Sequence, residues 1–160
     1  MIFKEDPAGI YRLEFLGKGV VAGFHSRVFD HSKRVLFLNE LGLFPDNLVM
    51  VKQVHGSTIV VAERPDPELL ETPADGLITK VPGLVLGIRT ADCVPVFFWD
   101  PVQKVGGIAH GGWKSVKDGI IAQMLKIFEK SCGTKMRDLR VAIGPSIRKC
   151  CYEVGKEFLG

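Results

Sequence analysis

Three side chains in this sequence are of types that ligate metals or drive nucleophilic chemistry: His55, Cys93 and His110. Each falls just past a stretch that reads as a strand, and they are 38 and 17 residues apart, so no short metal-finger spacing is present. Two imidazoles and a thiolate fill three corners of a tetrahedral zinc and leave the fourth open, the arrangement of a catalytic rather than a closed structural site. Zinc held in this way lowers the pKa of bound water to roughly 7. Without a metal, the same set offers Cys93 as nucleophile with a histidine as base. By spacing alone a reading without chemistry stays open: His55 on a surface turn, Cys93 as a small buried group, His110 as a hydrogen-bonded core or rim residue.

Other residues have chemistry to offer. Gly111-Gly112-Trp113 precedes a helix pattern. Glycine there lets backbone approach a ligand, free amides at a helix start favour an anion, and Lys114 adds a point charge. The alternative is a plain loop-to-helix turn with an exposed lysine. Arg27 ends an extended stretch and could grip phosphate with two prongs or simply face water. Asp92 precedes Cys93 and could orient a histidine or cap a turn. Near the end, Cys150-Cys151-Tyr152-Glu153 could line a pocket or form a turn with Cys151 buried. Trp99 and Trp113 read as packing anchors.

These residues need elements to position them. Gly9 to Phe24 reads as extended, interrupted by glycines. Asp30 or Ser32 would cap a helix from Lys33 to Leu41, with Val35, Leu36, Leu38 and Leu41 on its buried face. Leu48 to Val54 reads as a strand that delivers His55, and Thr58 to Val61 as its return strand. Arg64 to Ala74, with three prolines, reads as a surface loop, and Asp75-Gly76 as a turn before a strand at Leu77 to Thr79. Leu84 to Ile88 and Val94 to Trp99 are apolar enough for central strands, and Val105 to Ala109 is the next. The longest helix is expected from Ser115 to Lys130, with Ser115 as N-cap, a stripe of Val116, Ile120, Met124, Ile127 and Phe128, and a stop at Gly133. Leu139 to Ile143 is the last strand. The pattern predicts an α+β fold with a mostly antiparallel or mixed sheet and flanking helices.

Composition narrows the function classes. At 160 residues, one domain over 1–160 is expected. With 46% apolar and 24% charged residues the chain has the make-up of a soluble globular protein. Its net charge is only +3 and its lysines and arginines are scattered, which argues against a nucleic-acid or membrane-surface partner. No apolar run approaches the roughly 20 residues that span a bilayer, and the charged start does not suit a signal peptide, so a cytoplasmic location is expected. The four cysteines read as thiols or ligands rather than a disulfide framework. No feature argues for a particular oligomeric state.

Five ordered blocks together resemble the laccase-domain family, long described as multicopper polyphenol oxidases and now as zinc-dependent purine nucleoside phosphorylases with adenosine deaminase activity. They are Gln53-Val54-His55-Gly56; Ala74-Asp75-Gly76 with Ile78-Thr79; Thr90-Ala91-Asp92-Cys93-Val94-Pro95-Val96; His110-Gly111-Gly112-Trp113; and Ala142 to Ile147 with Cys151-Tyr152-Glu153-Val154-Gly155. The resemblance implies zinc at His55, Cys93 and His110, with Cys93, His110 and Asp92 at the catalytic centre. It implies a pocket for a purine nucleoside beside phosphate, served by Arg27, Gly112, Lys114 and Cys151. The implied reactions are phosphorolysis of adenosine, inosine, guanosine and methylthioadenosine, and hydrolytic deamination of adenosine.

The chain departs from the family pattern in three respects. Gly111 stands where alanine is usual, and Lys114-Ser115 where arginine and glycine are usual; lysine keeps the charge but loses the two-pronged grip. The stretch after Arg27 is shorter. Family members continue for several dozen residues beyond the position of Glu153, so the usual C-terminal segment is expected to be lacking. Three alternatives are weighed beside the nucleoside reading. Copper-dependent phenol oxidation needs a type 1 and a trinuclear centre, which demand more imidazoles than His25, His31, His55 and His110. A hydrolase editing peptidoglycan precursors would use Cys93 as nucleophile. A non-catalytic binding module would keep the metal site as a relic.

Overall fold

A computed structural model gives the architecture and describes residues 3–5, 9–14, 16–25 and 33–155. Its centre is a five-stranded mixed sheet. The strands are β5 (Ile59–Val61), β6 (Gly76–Thr79), β8 (Val94–Asp100), β9 (Val105–Gly111) and β10 (Arg140–Ile143), in the spatial order β10-β8-β9-β6-β5. The β10–β8, β8–β9 and β9–β6 pairings are antiparallel and β6–β5 is parallel. The hairpin β8–β9 turns at Asp100, whose carboxylate accepts from Val102 and Gln103 N–H. Two smaller sheets accompany it: β1 (Phe3–Glu5), β2 (Ile10–Leu13) and β3 (Gly23–His25), all antiparallel, and the short parallel pair of β4 (Leu48–Val49) and β7 (Val85–Leu86).

Alternation along β6 and β8 sends successive side chains to opposite faces, and both faces are covered. Val96, Phe98, Ile78 and Ala109 pack with Ile120, Met124 and Phe128 of a helix, while Phe97, Trp99, Leu77 and Ile108 pack with Leu13, Leu16, Val49 and Val51. That explains the near-continuous apolar runs in the sequence. The helix lies so close to β9 that a Cβ on Gly107 would come within 2.9 Å of Met124 Cε. The fold is α+β with a mixed sheet, as the element pattern predicted.

Several expectations need correction. The long helix is two: α2 (Trp113–Lys117) and α3 (Ile120–Cys132), broken at Gly119 in the left-handed region at φ 81°. Val116 and Ile120 are one helical step apart, so the periodicity ran across a break it could not register. Val116 is exposed, Gly112 rather than Ser115 is the N-cap residue, and Ser115 is buried. The early helix, α1 (Arg34–Glu40), buries Leu38 but exposes Val35 and Leu36; its expected caps Asp30 and Ser32 lie outside the described residues. The strand over Leu48–Val54 shortens to β4, and that over Leu84–Ile88 to β7, because each finds a ladder partner for only two residues. The segment at Thr58–Val61 does not fold back on β4; β5 runs parallel to β6. Asp75-Gly76 is not a turn. Asp75 is fully buried and Gly76 opens β6. Trp99 is a buried anchor as expected, whereas Trp113 is 43% exposed.

Candidate metal centre

His110 sits inside β9, opposite Pro95 of β8, rather than past the strand end. Its parity with Ile108 fixes the face on which the ring lies, and it is only 3% exposed. Cys93 immediately precedes β8 and is half-buried. His55 comes from the connection between β4 and β5, is exposed, and holds a left-handed backbone at φ 60° that non-glycine residues seldom adopt. The fold gathers all three: their candidate ligand atoms lie within 4.8 Å of one another. His55 Nε2 is 3.8 Å from Cys93 Sγ, and the two imidazole rings stand edge to face with centroids 4.7 Å apart.

A buried carboxylate underlies this cluster. Asp75 Oδ1 lies 2.8 Å from His110 Nδ1 and accepts from His55 N–H at 3.0 Å, while Oδ2 accepts from Val54 and Gly56 N–H. An ionised carboxylate only accepts, so Nδ1 of His110 carries the proton and, in the neutral ring, Nε2 offers a lone pair. Sequence reasoning looked for this role in Asp92. That residue is exposed, and its backbone oxygen accepts from Ile147 N–H at 3.0 Å. The signal for Asp75 was its place in the Ala74-Asp75-Gly76 motif block, since by local pattern Asp-Gly reads as a turn.

Glycine at 112 is required by space. A Cβ there would lie 2.7 Å from His55 Cδ2 and 3.5 Å from Cys93 Sγ, so any side chain would push into the cluster. Gln53 ties the His55 segment to the Cys93 segment: its side chain donates to Arg89 O and accepts from Arg89 N–H, both at 2.7 Å. Burial pushes the Cys93 thiol up, and the carboxylates of Asp92 and Asp75 push it the same way. A cation beside it would favour the thiolate.

The set of donors fits a tetrahedral metal ion that takes nitrogen and sulfur ligands. Two imidazoles and one sulfur converge from three segments, one ring is already oriented by a buried acceptor, and the thiol gains most from a positive charge. Three predicted residues remain: Lys114, Cys151 and Arg27. Lys114 is exposed, with Nζ 5.5 Å from the centroid of the Trp113 ring. Cys151 is exposed, its Sγ 3.2 Å from that of Cys150, and all four cysteines are free thiols. Arg27 lies outside the described residues. Among the described residues, no helix is long and apolar enough to cross a membrane.

Residues 26–160 match the family described as multi-copper polyphenol oxidoreductase laccase. A purine nucleoside phosphorylase of Borreliella burgdorferi is 39% identical over 109 residues, which cover 68% of this chain and 46% of that protein. Adenosine deaminase RL5, from an unknown prokaryotic organism, is 32% identical over 141 residues, covering 82% and 52%. The crystal structure of hypothetical protein YfiH of Bacillus licheniformis superposes with a TM-score of 0.84 at 31% identity, covering 98% of this chain and 69% of that one. The chain spans about half the length of the curated relatives it matches.

Proposed function

The chain belongs to the multi-copper polyphenol oxidoreductase laccase family, and from that premise we propose that it is a zinc-dependent purine nucleoside phosphorylase that also deaminates adenosine. The observation that carries the reading is the convergence of His55, Cys93 and His110 within 4.8 Å, in a chain similar to proteins named for both activities. The substrates would be a purine nucleoside, methylthioadenosine among them, with inorganic phosphate or water. We further propose a cytoplasmic location, as well as a single domain over 1–160, the latter supported by the two apolar clusters that share one sheet.

His55, Cys93 and His110 would hold the zinc. When bound, the ion supplies Lewis acidity toward a substrate oxygen or a water. The chain's own residues do the rest. Asp75 keeps the proton on His110 Nδ1, which leaves Nε2 free. Cys93 would give up its thiol proton to hold the cation. Gly112 leaves its backbone bare beside the cluster, where a ligand can approach. Lys114 supplies a point charge for phosphate, and Arg27 a two-pronged grip on it. Asp92 is assigned to the catalytic centre and Cys151 to the substrate pocket by motif. Electrostatic stabilisation, together with holding phosphate and nucleoside in register, would carry the rate in a reaction of this class.

A second reading follows from the family's description and from the donors themselves, since a two-histidine, one-cysteine set also suits copper. One experiment separates the two. Elemental analysis of the purified chain is paired with phosphate-dependent base release from adenosine and inosine, and with oxygen uptake on a phenol. Zinc with phosphorolysis that disappears in His110→Ala is expected. Copper with oxygen uptake, or phosphorolysis retained in His110→Ala, contradicts the proposal.

A further inference from the structure

Asp75 is 0% exposed and ionisable, and its carboxylate is fully engaged by two parts of the chain that are remote in sequence. Three successive backbone N–H groups, from Val54 at 3.1 Å, His55 at 3.0 Å and Gly56 at 2.7 Å, converge on it from 19 to 21 residues away. The ring of His110, 35 residues away on the other side, meets it at 2.8 Å. We propose that Asp75 is the positioning residue of this centre, one carboxylate that orients both histidines: it fixes the His110 tautomer and locks the turn that presents His55. The proposal rests on the metal reading above and names the residue on which that site's geometry depends.

Several observations converge on this role. Three N–H groups pointing at one anion form a concave nest, and such nests are built around a full negative charge. That charge compensates a backbone which at His55 adopts φ 60°, a conformation that needs outside support in a residue with a side chain. The main chain of Asp75 is tied down as well. Asp75 N–H donates to Thr58 O at 2.9 Å and its carbonyl accepts from His110 N–H at 2.8 Å, so main chain and side chain both bind the segments they align. Oδ1 is shared between His55 N–H and His110 Nδ1, so a shift in one histidine is felt by the other. Carboxylates that hydrogen-bond ligating histidines raise ligand basicity, and losing one commonly weakens metal binding 10–100-fold.

Asp75→Asn separates positioning from mere packing, because it keeps the shape. Its amide oxygen can still accept from one side, but the NH₂ must then face N–H groups, donor against donor. Wild type and Asp75→Asn are titrated with cobalt(II), followed by the visible and near-ultraviolet bands, and with zinc against a chelator; circular dichroism reports the fold. Zinc affinity is expected to fall 10–100-fold in Asp75→Asn, with altered cobalt bands and an unchanged far-ultraviolet spectrum. Affinity within twofold of wild type, with unchanged cobalt bands, overturns the proposal while leaving the metal reading intact. Failure of the wild-type chain to take up either metal overturns both. If Asp75→Asn does not fold, nitrogen-15 spectra of the metal-free wild type decide. An Nδ1–H tautomer at His110 supports the proposal, and an Nε2–H tautomer overturns it.

Discussion

The cluster around His110 and the segment over 144–155 both carry family motifs, yet they are held in different ways. His110 lies within a strand and is buried, its ring bonded to a carboxylate that has no solvent exposure. The later segment contains neither helix nor strand. It is fastened at its start by Gly144 N–H to Pro95 O at 2.8 Å and Ile147 N–H to Asp92 O at 3.0 Å, and then exposes Cys150, Cys151, Tyr152 and Val154. Coordination demands ligand positions good to a few tenths of an ångström, which only a packed scaffold with satisfied polar groups delivers. Side chains that meet a substrate need reach more than rigidity, and an exposed segment provides it.

Substitutions can break this contrast, and the largest effect belongs to the buried side. His110→Ala removes a proposed ligand and takes from Asp75 Oδ1 one of its two donors, leaving only His55 N–H, so metal content should drop to background. Stability should fall by about 1.5–3 kcal/mol from the lost hydrogen bond to a charged group, before any cavity term. Elemental analysis and denaturant unfolding check both. Next comes Gly112→Ala, whose Cβ would sit 2.7 Å from His55 Cδ2. His55 must move, so zinc affinity measured against a chelator should fall by roughly tenfold or more, in the range seen when ligand geometry is disturbed.

pH sharpens the contrast. Burial, with Asp92 and Asp75, holds the Cys93 thiol above its ordinary value of 9.0, so at neutral pH that group is protonated in the metal-free chain and must lose its proton to bind. Acid therefore opposes binding. From this proton alone, affinity should rise about tenfold per unit as pH increases towards the thiol's raised pKa. The smallest effect is expected on the exposed side. Cys151→Ser should leave zinc affinity within about twofold and the pH slope unchanged, while a change in the KM for nucleoside would mark Cys151 as a substrate contact.

Much of the scaffold was legible in the sequence, and the exceptions share a cause. Strands β8 and β9 and the stripe Ile120, Met124 and Phe128 stood out because local periodicity and two-sided burial mark them directly, whereas β10, an edge strand that buries only Ala142, showed as a short apolar run. What local pattern could not register was set by distant partners. The strands at Leu48–Val49 and Val85–Leu86 exist only through each other. The break at Gly119 hides behind a Val116–Ile120 spacing that fits an unbroken helix. Asp75 looked like turn chemistry because its four bonding partners lie 19 to 35 residues away. For His55, Cys93 and His110, spacing left every reading open; the ordered motifs grouped them, and the fold brings their donor atoms together.

The central claim is that these three side chains grip one ion, and X-ray absorption of the zinc-loaded chain tests it most directly. The account predicts one zinc per chain, with two imidazole nitrogens and the light-atom ligand of the fourth corner at roughly 2.0–2.2 Å and a single sulfur at about 2.3 Å. A chain that takes up no zinc, or a shell without sulfur, would contradict it.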